Sequence, residues 1–321
     1  MSRIILIGGE GYIGKVISKY MISKERNIIS FDNLIYNQDI SNIKKNFKFI
    51  KGDIRNESNY KNLFKKDDQV VILAGLVGDP ITKKYPVISE EINNQGIKKI
   101  IDFCLEAQIK NLIFVSTCSN YGLIDDEIKA KENHKLNPLS NYSIAKVKME
   151  EYLLSKRNYT NSNITILRFS TAFGLSDRMR YDLTVNEFVK EIYFKKTLEV
   201  YDPDTWRPYC HVKDFARVIL KILSEDSNNI YFEIFNVGND KNNFTKRMII
   251  DLISKKMDCS KVKFINNKGT DLRNYRVDFE KLEKKIDITC KYSLENGIDE
   301  ITDNLKTQKN TNFDNYGNYY L

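Results

Sequence analysis

The chain reads as an α/β protein built on a doubly wound parallel sheet, with a smaller C-terminal α/β unit. Three observations predict this. Short, continuously apolar runs alternate with longer helical patterns through the first two-thirds of the sequence, as parallel strands buried on both faces and joined by crossover helices do. The first run, Ile4–Ile7, leads straight into Gly8, Gly9, Gly11 and Gly14, a glycine turn that opens a helix. The 321 residues, 41% hydrophobic and 29% charged, suit one large globular domain or two unequal ones.

Taken in order, strands are expected near Ile4–Ile7, Ile28–Phe31, Phe47–Ile50, Val70–Leu73, Leu112–Ser116 and Ile164–Phe169. Helices lie between them around Tyr12–Ser23, Glu57–Phe64, Val87–Ala107 and Asn141–Leu154. After Phe169 the rhythm breaks. A polar, arginine-rich loop, Ser176–Asp182, leads to a helix from near Thr184, a short strand Leu198–Tyr201 and a turn carrying Pro203. Another α/β pair, Asp214–Leu223 and Phe232–Val237, rejoins the sheet, and the chain from about Gly238 reads as a smaller cap. Residues 1–172 are thus expected to form the first domain, to which 213–237 returns, and 173–321 the second. The Asn/Tyr-rich segment Thr307–Leu321 lacks periodicity and is expected to be a surface tail.

Composition excludes several classes. No apolar run approaches the ~20 residues of a membrane helix, and the segment before the glycines is too short for a signal peptide. Cys104, Cys118, Cys210, Cys259 and Cys290 are odd in number and scattered, so neither a disulfide framework nor a metal site is expected, and a reducing cytoplasmic setting fits. The net charge of +8 is spread among Asp, Glu and Asn without a dense basic tract. Nucleic-acid binding is therefore disfavoured, and anionic small ligands account for the excess equally well.

The glycines give G-x-x-G-x-x-G from Gly8, Gly11 and Gly14, and Gly9 adds an overlapping G-x-G-x-x-G. They permit a tight turn and close approach of backbone to a pyrophosphate, while the helix N-terminus supplies N–H groups. Glu10 is awkward beside an anion and is expected to point outward to solvent. Asp32 ends the second strand 18 residues after Gly14, where an acid accepts from the adenosine ribose hydroxyls. It would repel a 2′-phosphate, which favours NAD over NADP. Asp53, closing the third strand in Gly52-Asp53-Ile54, could accept from the adenine amino group or be a solvated turn residue.

Tyr142 and Lys146 share one helix face at i and i+4. A phenol of ordinary pKa near ~10 is a poor base at neutral pH, and a neighbouring cation lowers that value.

In these pieces the chain resembles the extended short-chain dehydrogenase/reductases, in the NAD-dependent nucleotide-sugar epimerase/dehydratase branch. The matches keep family order and spacing: the glycine turn, Asp32, Gly52-Asp53, Leu73-Ala74-Gly75, Asn93, Ser116–Gly122, Tyr142/Lys146, Leu167-Arg168-Phe169, Trp206–Val212 and Asp271–Tyr275. Two positions depart, Ile72 for a usual His and Gly75 for a usual Ala. The resemblance implies a Rossmann-type domain for NAD and a C-terminal substrate domain. It implies cofactor contacts from Gly8, Gly11, Tyr12, Ile13, Gly14, Asp32, Asn33, Asp53, Ile54, Leu73, Ala74, Gly75, Asn93, Ser116, Tyr142, Lys146 and Phe169. Tyr142 would take a proton from a sugar hydroxyl, Thr117 would hydrogen-bond the same oxygen, and Lys146 would hold the nicotinamide ribose. Arg207 and Arg273 would bind the diphosphate, with Thr117, Cys118, Ser119, Thr171, Arg180 and Asn186 nearby and Arg178 framing the pocket. Cys118 beside Thr117 reads more as small packing than as a nucleophile. A homodimer through the helices around Val87–Ala107 and Asn141–Leu154 is also implied.

The 4,6-dehydratases of this branch carry Asp-Glu directly after the Thr, where this chain has Cys118 and Ser119. A thiol and a hydroxyl are poor replacements for a paired acid and base, so oxidation or reduction at C4 remains. Thr117–Gly122, Phe169–Asn186 and Trp206–Val212 look most like a bacterial capsule enzyme that oxidises C4 of GDP-D-glycero-α-D-manno-heptose. Net oxidation is the leading expectation and 4-epimerisation with retained NAD the alternative.

Overall fold

The computed structural model describes residues 2–43, 45–125, 127–266, 271, 273–308, 313 and 316–321. In chain order the first elements are β1 (Ile4–Ile7), α1 (Tyr12–Ile22), β2 (Ile28–Asp32), β3 (Phe47–Lys51), β4 (Gln69–Ile72), α2 (Asp79–Lys84), α3 (Pro86–Glu90), α4 (Ile97–Glu106) and β5 (Asn111–Thr117). Next come β6 (Lys129–Ala130), α5 (Asn141–Leu154), β7 (Asn163–Phe169), β8 (Thr171–Phe173), α6 (Thr184–Tyr193), β9 (Leu198–Tyr201), β10 (Trp206–His211) and α7 (Val212–Leu223). The last are α8 (Ser227–Ile230), β11 (Glu233–Val237), β12 (Asn243–Thr245), α9 (Lys246–Ser254), β13 (Val262–Ile265), β14 (Arg276–Val277), α10 (Glu280–Ile286) and α11 (Leu294–Thr307).

Seven strands form a parallel sheet in the order β11-β7-β5-β4-β1-β2-β3. Every residue of β1, β4, β5 and β7 is buried, which is why these runs are apolar without alternation. Side chains of β1 divide between two cores. Ile4 and Leu6 face the core that includes Ile17 and Phe215, while Ile5 and Ile7 face the one that includes Phe31 and Ile100, as the two-residue period of a strand requires. The first core runs on into the smaller unit through Val189, Ile249 and Ile298. There β10 pairs parallel with β8 and antiparallel with β12, β9 pairs with β13, and β6 with β14.

Three expectations are corrected. The segment Glu57–Phe64 closes only a 3₁₀ turn, Glu57–Asn59, capped by Asn56. Tyr60 leaves the helical path because its ring plugs the core edge-on to Phe31 and Phe103, and its hydroxyl donates to Ile54 O at 3.1 Å. The expected helix Val87–Ala107 is interrupted by a π-helical turn, Glu91–Gly96, between α3 and α4, the kind of bulge that re-aims side chains. Residues 316–321 are not a free tail. Tyr316 packs on the first core and Leu321 on the second, and Asn318 is buried. The aromatic residues that spoil its periodicity are what anchor it.

Candidate active site

A crevice lies at the carboxyl ends of the strands, beside the point between β1 and β4 where strand order reverses, the usual ligand position in such sheets. It runs from the glycine turn to arginines of the smaller unit.

At one end Gly8 has φ +86°, and a Cβ there would sit 2.7 Å from Ala74 N; a Cβ on Gly14 would fall 2.6 Å from Gly9 O. Backbone therefore packs on backbone, and only glycine fits. No side chain caps α1 at Gly11, so its first N–H groups stay available to an anion. Tyr12 and Ile13 line the crevice beside them. Glu10 corrects the sequence reading: it is fully buried, not solvent-facing. Its carboxylate turns away from the cradle and accepts from Ser30 Oγ at 2.6 Å, Ser41 N at 2.7 Å and Ser41 Oγ at 2.8 Å, with Lys15 Nζ at 3.6 Å.

Asp32 accepts from Glu10 N (3.0 Å), Leu34 N (2.8 Å) and Gln38 Nε2 (3.3 Å). Burial raises its pKa above the ordinary carboxylate value against these hydrogen bonds. Asn33, Ile54, Leu73, Ala74, Gly75, Ser116 and Phe169 also line the crevice. Asp53 does not. Burial alone would raise its carboxyl, but Arg55 (2.7 Å) and Asn33 (3.1 Å) bring it below the usual range. Asn93 likewise stands behind the wall, where its side chain accepts from Leu76 N at 2.7 Å and donates to Leu76 O at 3.0 Å. The π-helical turn aims it there, so it positions the loop after β4.

In the middle stand Thr117, Tyr142 and Lys146, all on the crevice wall. Thr117 closes β5, and its Oγ1 accepts from Ser119 N at 3.1 Å, which leaves the hydroxyl proton for another acceptor. α5 begins at a capping box of Ser140 and Ser143, which fixes the turn carrying Tyr142. Lys146 Nζ donates to Val115 O at 2.7 Å and lies 5.8 Å from the centroid of the Tyr142 ring. Burial lowers the Lys146 pKa to about 8, opposed by Glu150. Tyr142 departs from the sequence reading. Its enclosure, reinforced by Asp79, pushes the phenol well above its ordinary value, and Arg180 and Arg273 only partly offset this. Enclosure thus outweighs the nearby cations at Tyr142, and the Lys146 ammonium is engaged by the Val115 carbonyl.

Behind this wall Arg168 and Glu150 form a buried ion pair, Nη2 to Oε2 at 2.7 Å, with Asn120 Nδ2 (2.8 Å) and Ser116 also donating to Glu150. The pair ties β7 to α5 under the end of β5. A charge inside a buried strand demands a partner, so Arg168 was the sequence signal for this missed network.

At the far end Arg273 donates to Asp271 (2.7 Å) and Ser119 Oγ (3.1 Å) and pairs with Asp79 at 2.8 Å. Arg207 Nη2 lies 3.1 Å from Asp271 Oδ2 yet has no aligned hydrogen bond among the described residues. Asp271, Asp79, Glu187 and Lys246 line this end and were missed as site residues. The spacing Asp271-x-Arg273 was the available signal for the first. Thr171, Ser119, Arg178 and Arg180 reach the crevice, with Arg180 held by Asp182 at 2.5 Å.

Two expected substrate residues do not reach it. Cys118 turns into the core, its thiol donating to Arg168 O at 3.2 Å and pushed up to about 12 by burial. Asn186 is fully buried, its amide donating to Tyr12 Oη (3.1 Å) and Arg180 O (2.9 Å) and accepting from Gly174 N (3.1 Å). Being inward on α6, it braces the loop instead. The structure also brings together Cys210 and Cys290, sulfurs 3.8 Å apart, beside Asp214. That carboxylate is already committed to Arg217, Lys291 N and Tyr292 N.

Residues 4–238 match the NAD dependent epimerase/dehydratase family, and the chain belongs to that family. It is 25% identical over 315 residues to a UDP-glucuronate 4-epimerase of Thermodesulfobacterium geofontis, covering 93% of this chain and 94% of that one. It is 27% identical over 261 residues to a dTDP-D-glucose 4,6-dehydratase of Dictyostelium discoideum, covering 75% of this chain and 59% of that one. The crystal structure of a Thermotoga maritima UDP-glucose 4-epimerase with UDP-glucose has the same fold, with a TM-score of 0.85 at 23% identity over 96% of this chain and 99% of that one. No helix among the described residues is long and apolar enough to cross a membrane.

Proposed function

We propose that the protein oxidises C4 of a nucleotide-diphosphate sugar, releasing the keto sugar, with GDP-D-glycero-α-D-manno-heptose of capsule biosynthesis as substrate. The observation that carries the reading is one crevice holding the glycine cradle, Thr117/Tyr142/Lys146 and two arginines in sequence. The cradle fits a dinucleotide, because Gly8 and Gly14 admit no side chain and α1 presents uncapped N–H groups. Held in this cradle, NAD would supply the hydride acceptor for C4.

The chain's residues supply the rest. Gly11, Tyr12 and Ile13 bind the pyrophosphate, and Asp32 accepts from the adenosine ribose. Lys146 Nζ binds the second ribose. Tyr142 Oη takes the proton of the C4 hydroxyl, and Thr117 Oγ1 donates to the same oxygen. Arg207, with a donor to spare, and Arg273 hold the diphosphate in place of Asp271. Dehydration across C5–C6 is disfavoured, since Cys118 faces the core and Ser119 offers only a hydroxyl.

Epimerisation at C4 is the second reading, favoured by the epimerase among the relatives. One assay separates these. Purified protein is incubated with a panel of nucleotide sugars, following reduced-nicotinamide absorbance and the product by NMR. Reduction with a keto product supports dehydrogenation, and a stereoisomer without net reduction supports epimerisation. A 6-deoxy or unsaturated product, or no sugar turned over, overturns the proposal.

A further inference from the structure

The segment 316–321 lies across the mouth of the crevice. Tyr181 N donates to Tyr316 O at 2.7 Å, and Arg178 Nη2 to Gly317 O at 3.3 Å. On the opposite rim Asn318 Nδ2 donates to Val77 O at 3.3 Å, and Lys84 Nζ sits 3.7 Å from the centroid of the Tyr320 ring. The segment therefore bridges the loop before α6 to the loop before α2, and Asn318 and Tyr319 become part of the crevice wall. Its partners on both rims, Arg178 and Val77, are wall residues too.

Two polar atoms in this region have no partner. Asn318 is 8% exposed, yet its Oδ1 is buried without a hydrogen bond among the described residues, and so is the hydroxyl of Tyr36 on the wall nearby. A buried acceptor left open is costly, so such atoms point to a ligand that completes them. Beside them the Arg178 guanidinium stacks 4.6 Å from the Tyr36 ring centroid. An acceptor wanting a hydroxyl or amino donor, next to a cation, suits a ribose carrying a phosphate. The glycine cradle and Asp32 line the same crevice, and Asp32 feels the charge of Arg178.

We propose that residues 316–321 are a strap that completes the dinucleotide site, Asn318 Oδ1 accepting a hydrogen bond from the bound dinucleotide and the strap retaining it between turnovers. This rests on the NAD site proposed above. Retention matters to either reaction: a strapped, reduced cofactor is reoxidised in place by giving its hydride to a carbonyl carbon, that of the returning keto sugar or that of a second, carbonyl-bearing substrate reduced to an alcohol.

The test compares the full chain, a chain lacking residues 316–321, and Asn318→Leu, which keeps side-chain size and removes both the Oδ1 acceptor and the Nδ2 hydrogen bond to Val77 O. Each is loaded with NADH and mixed with excess NAD, and the loss of bound-NADH fluorescence gives the dissociation rate. The strap predicts faster release by about tenfold or more for the deletion, the size expected for two or three lost hydrogen bonds. Asn318→Leu is expected to release severalfold faster, while the nucleotide-free protein stays folded with at most a small drop in melting temperature from the lost Val77 hydrogen bond. Equal rates in all three overturn the strap and leave the NAD site standing. Failure of the full chain to bind NADH overturns the NAD site itself, and the strap with it. Should the deletion not fold, Asn318→Leu decides alone.

Discussion

Lys146 meets two opposed demands: its ammonium must face a ligand, yet the fold encloses it. The unfolded chain keeps that proton to about 10.5 and the folded chain only to about 8, so unfolding takes up a proton between those values. Stability consequently rises with pH through that window, and below it the buried charge is a handicap. Lys146→Met is expected to melt higher than the parent at pH 7, with the gap closing toward pH 10.5; a pH-independent gap in calorimetry would contradict this. Its neighbour Tyr142 shows the complementary situation, a phenol held protonated by its surroundings. On the proposed mechanism, turnover would depend on positive charge brought by the cofactor. Tyr142→Phe should reduce turnover by about 10²–10⁴-fold, the usual worth of a positioned base, while NAD titration remains as in the parent. Retained turnover would remove Tyr142 from the mechanism. Both side chains were legible from their i, i+4 spacing, but which way the ammonium points was not, because the Val115 carbonyl competing for it belongs to another element.

At the scale of elements, α5 is the best specified. Its bounds follow from the sequence, and Ser140 with Ser143 forms the capping box that starts it. Tyr142 lies in that first turn, so a frayed cap moves the proposed base. Ser140→Ala is expected to cost about 1 kcal/mol in urea unfolding and to lower turnover at saturating substrate. An unchanged denaturation midpoint would show that packing alone holds the turn. Elsewhere elements deviated where a side chain outweighed local propensity. Tyr60 cut short the expected helix at Glu57, and a π-helical turn placed Asn93 against the Leu76 backbone. Neither is encoded in periodicity, since both depend on what the side chain meets across the core.

For the whole molecule, the exposed apolar side chains Val87 and Ile144 lie on the helices proposed to pair two copies of the chain. Sedimentation is expected to give a dimer of the 37.6 kDa chain, and Ile144→Glu to shift it to monomer. A parent that sediments as monomer removes that interface. The Arg168–Glu150 pair acts at this scale too, since it joins the sheet to α5 beneath the wall that carries Thr117, Tyr142 and Lys146. The continuous core through β1, α7, α6 and α11 makes the smaller unit an extension of the sheet's packing.

The sequence by itself determined the parallel sheet, the glycine cradle, Asp32, the Tyr142/Lys146 helix face and the arginines. Each is a local pattern whose physics acts within a few residues, such as strand burial, tight turns or helix spacing. Only the tertiary structure decided that Glu10 and Asn186 are braces, that Cys118 faces inward, that Asp271 bridges the arginines, and that residues 316–321 span from one rim of the crevice to the other. Those outcomes turn on which hydrogen-bond partners arrive from distant parts of the chain, and a buried polar atom goes wherever its partner is.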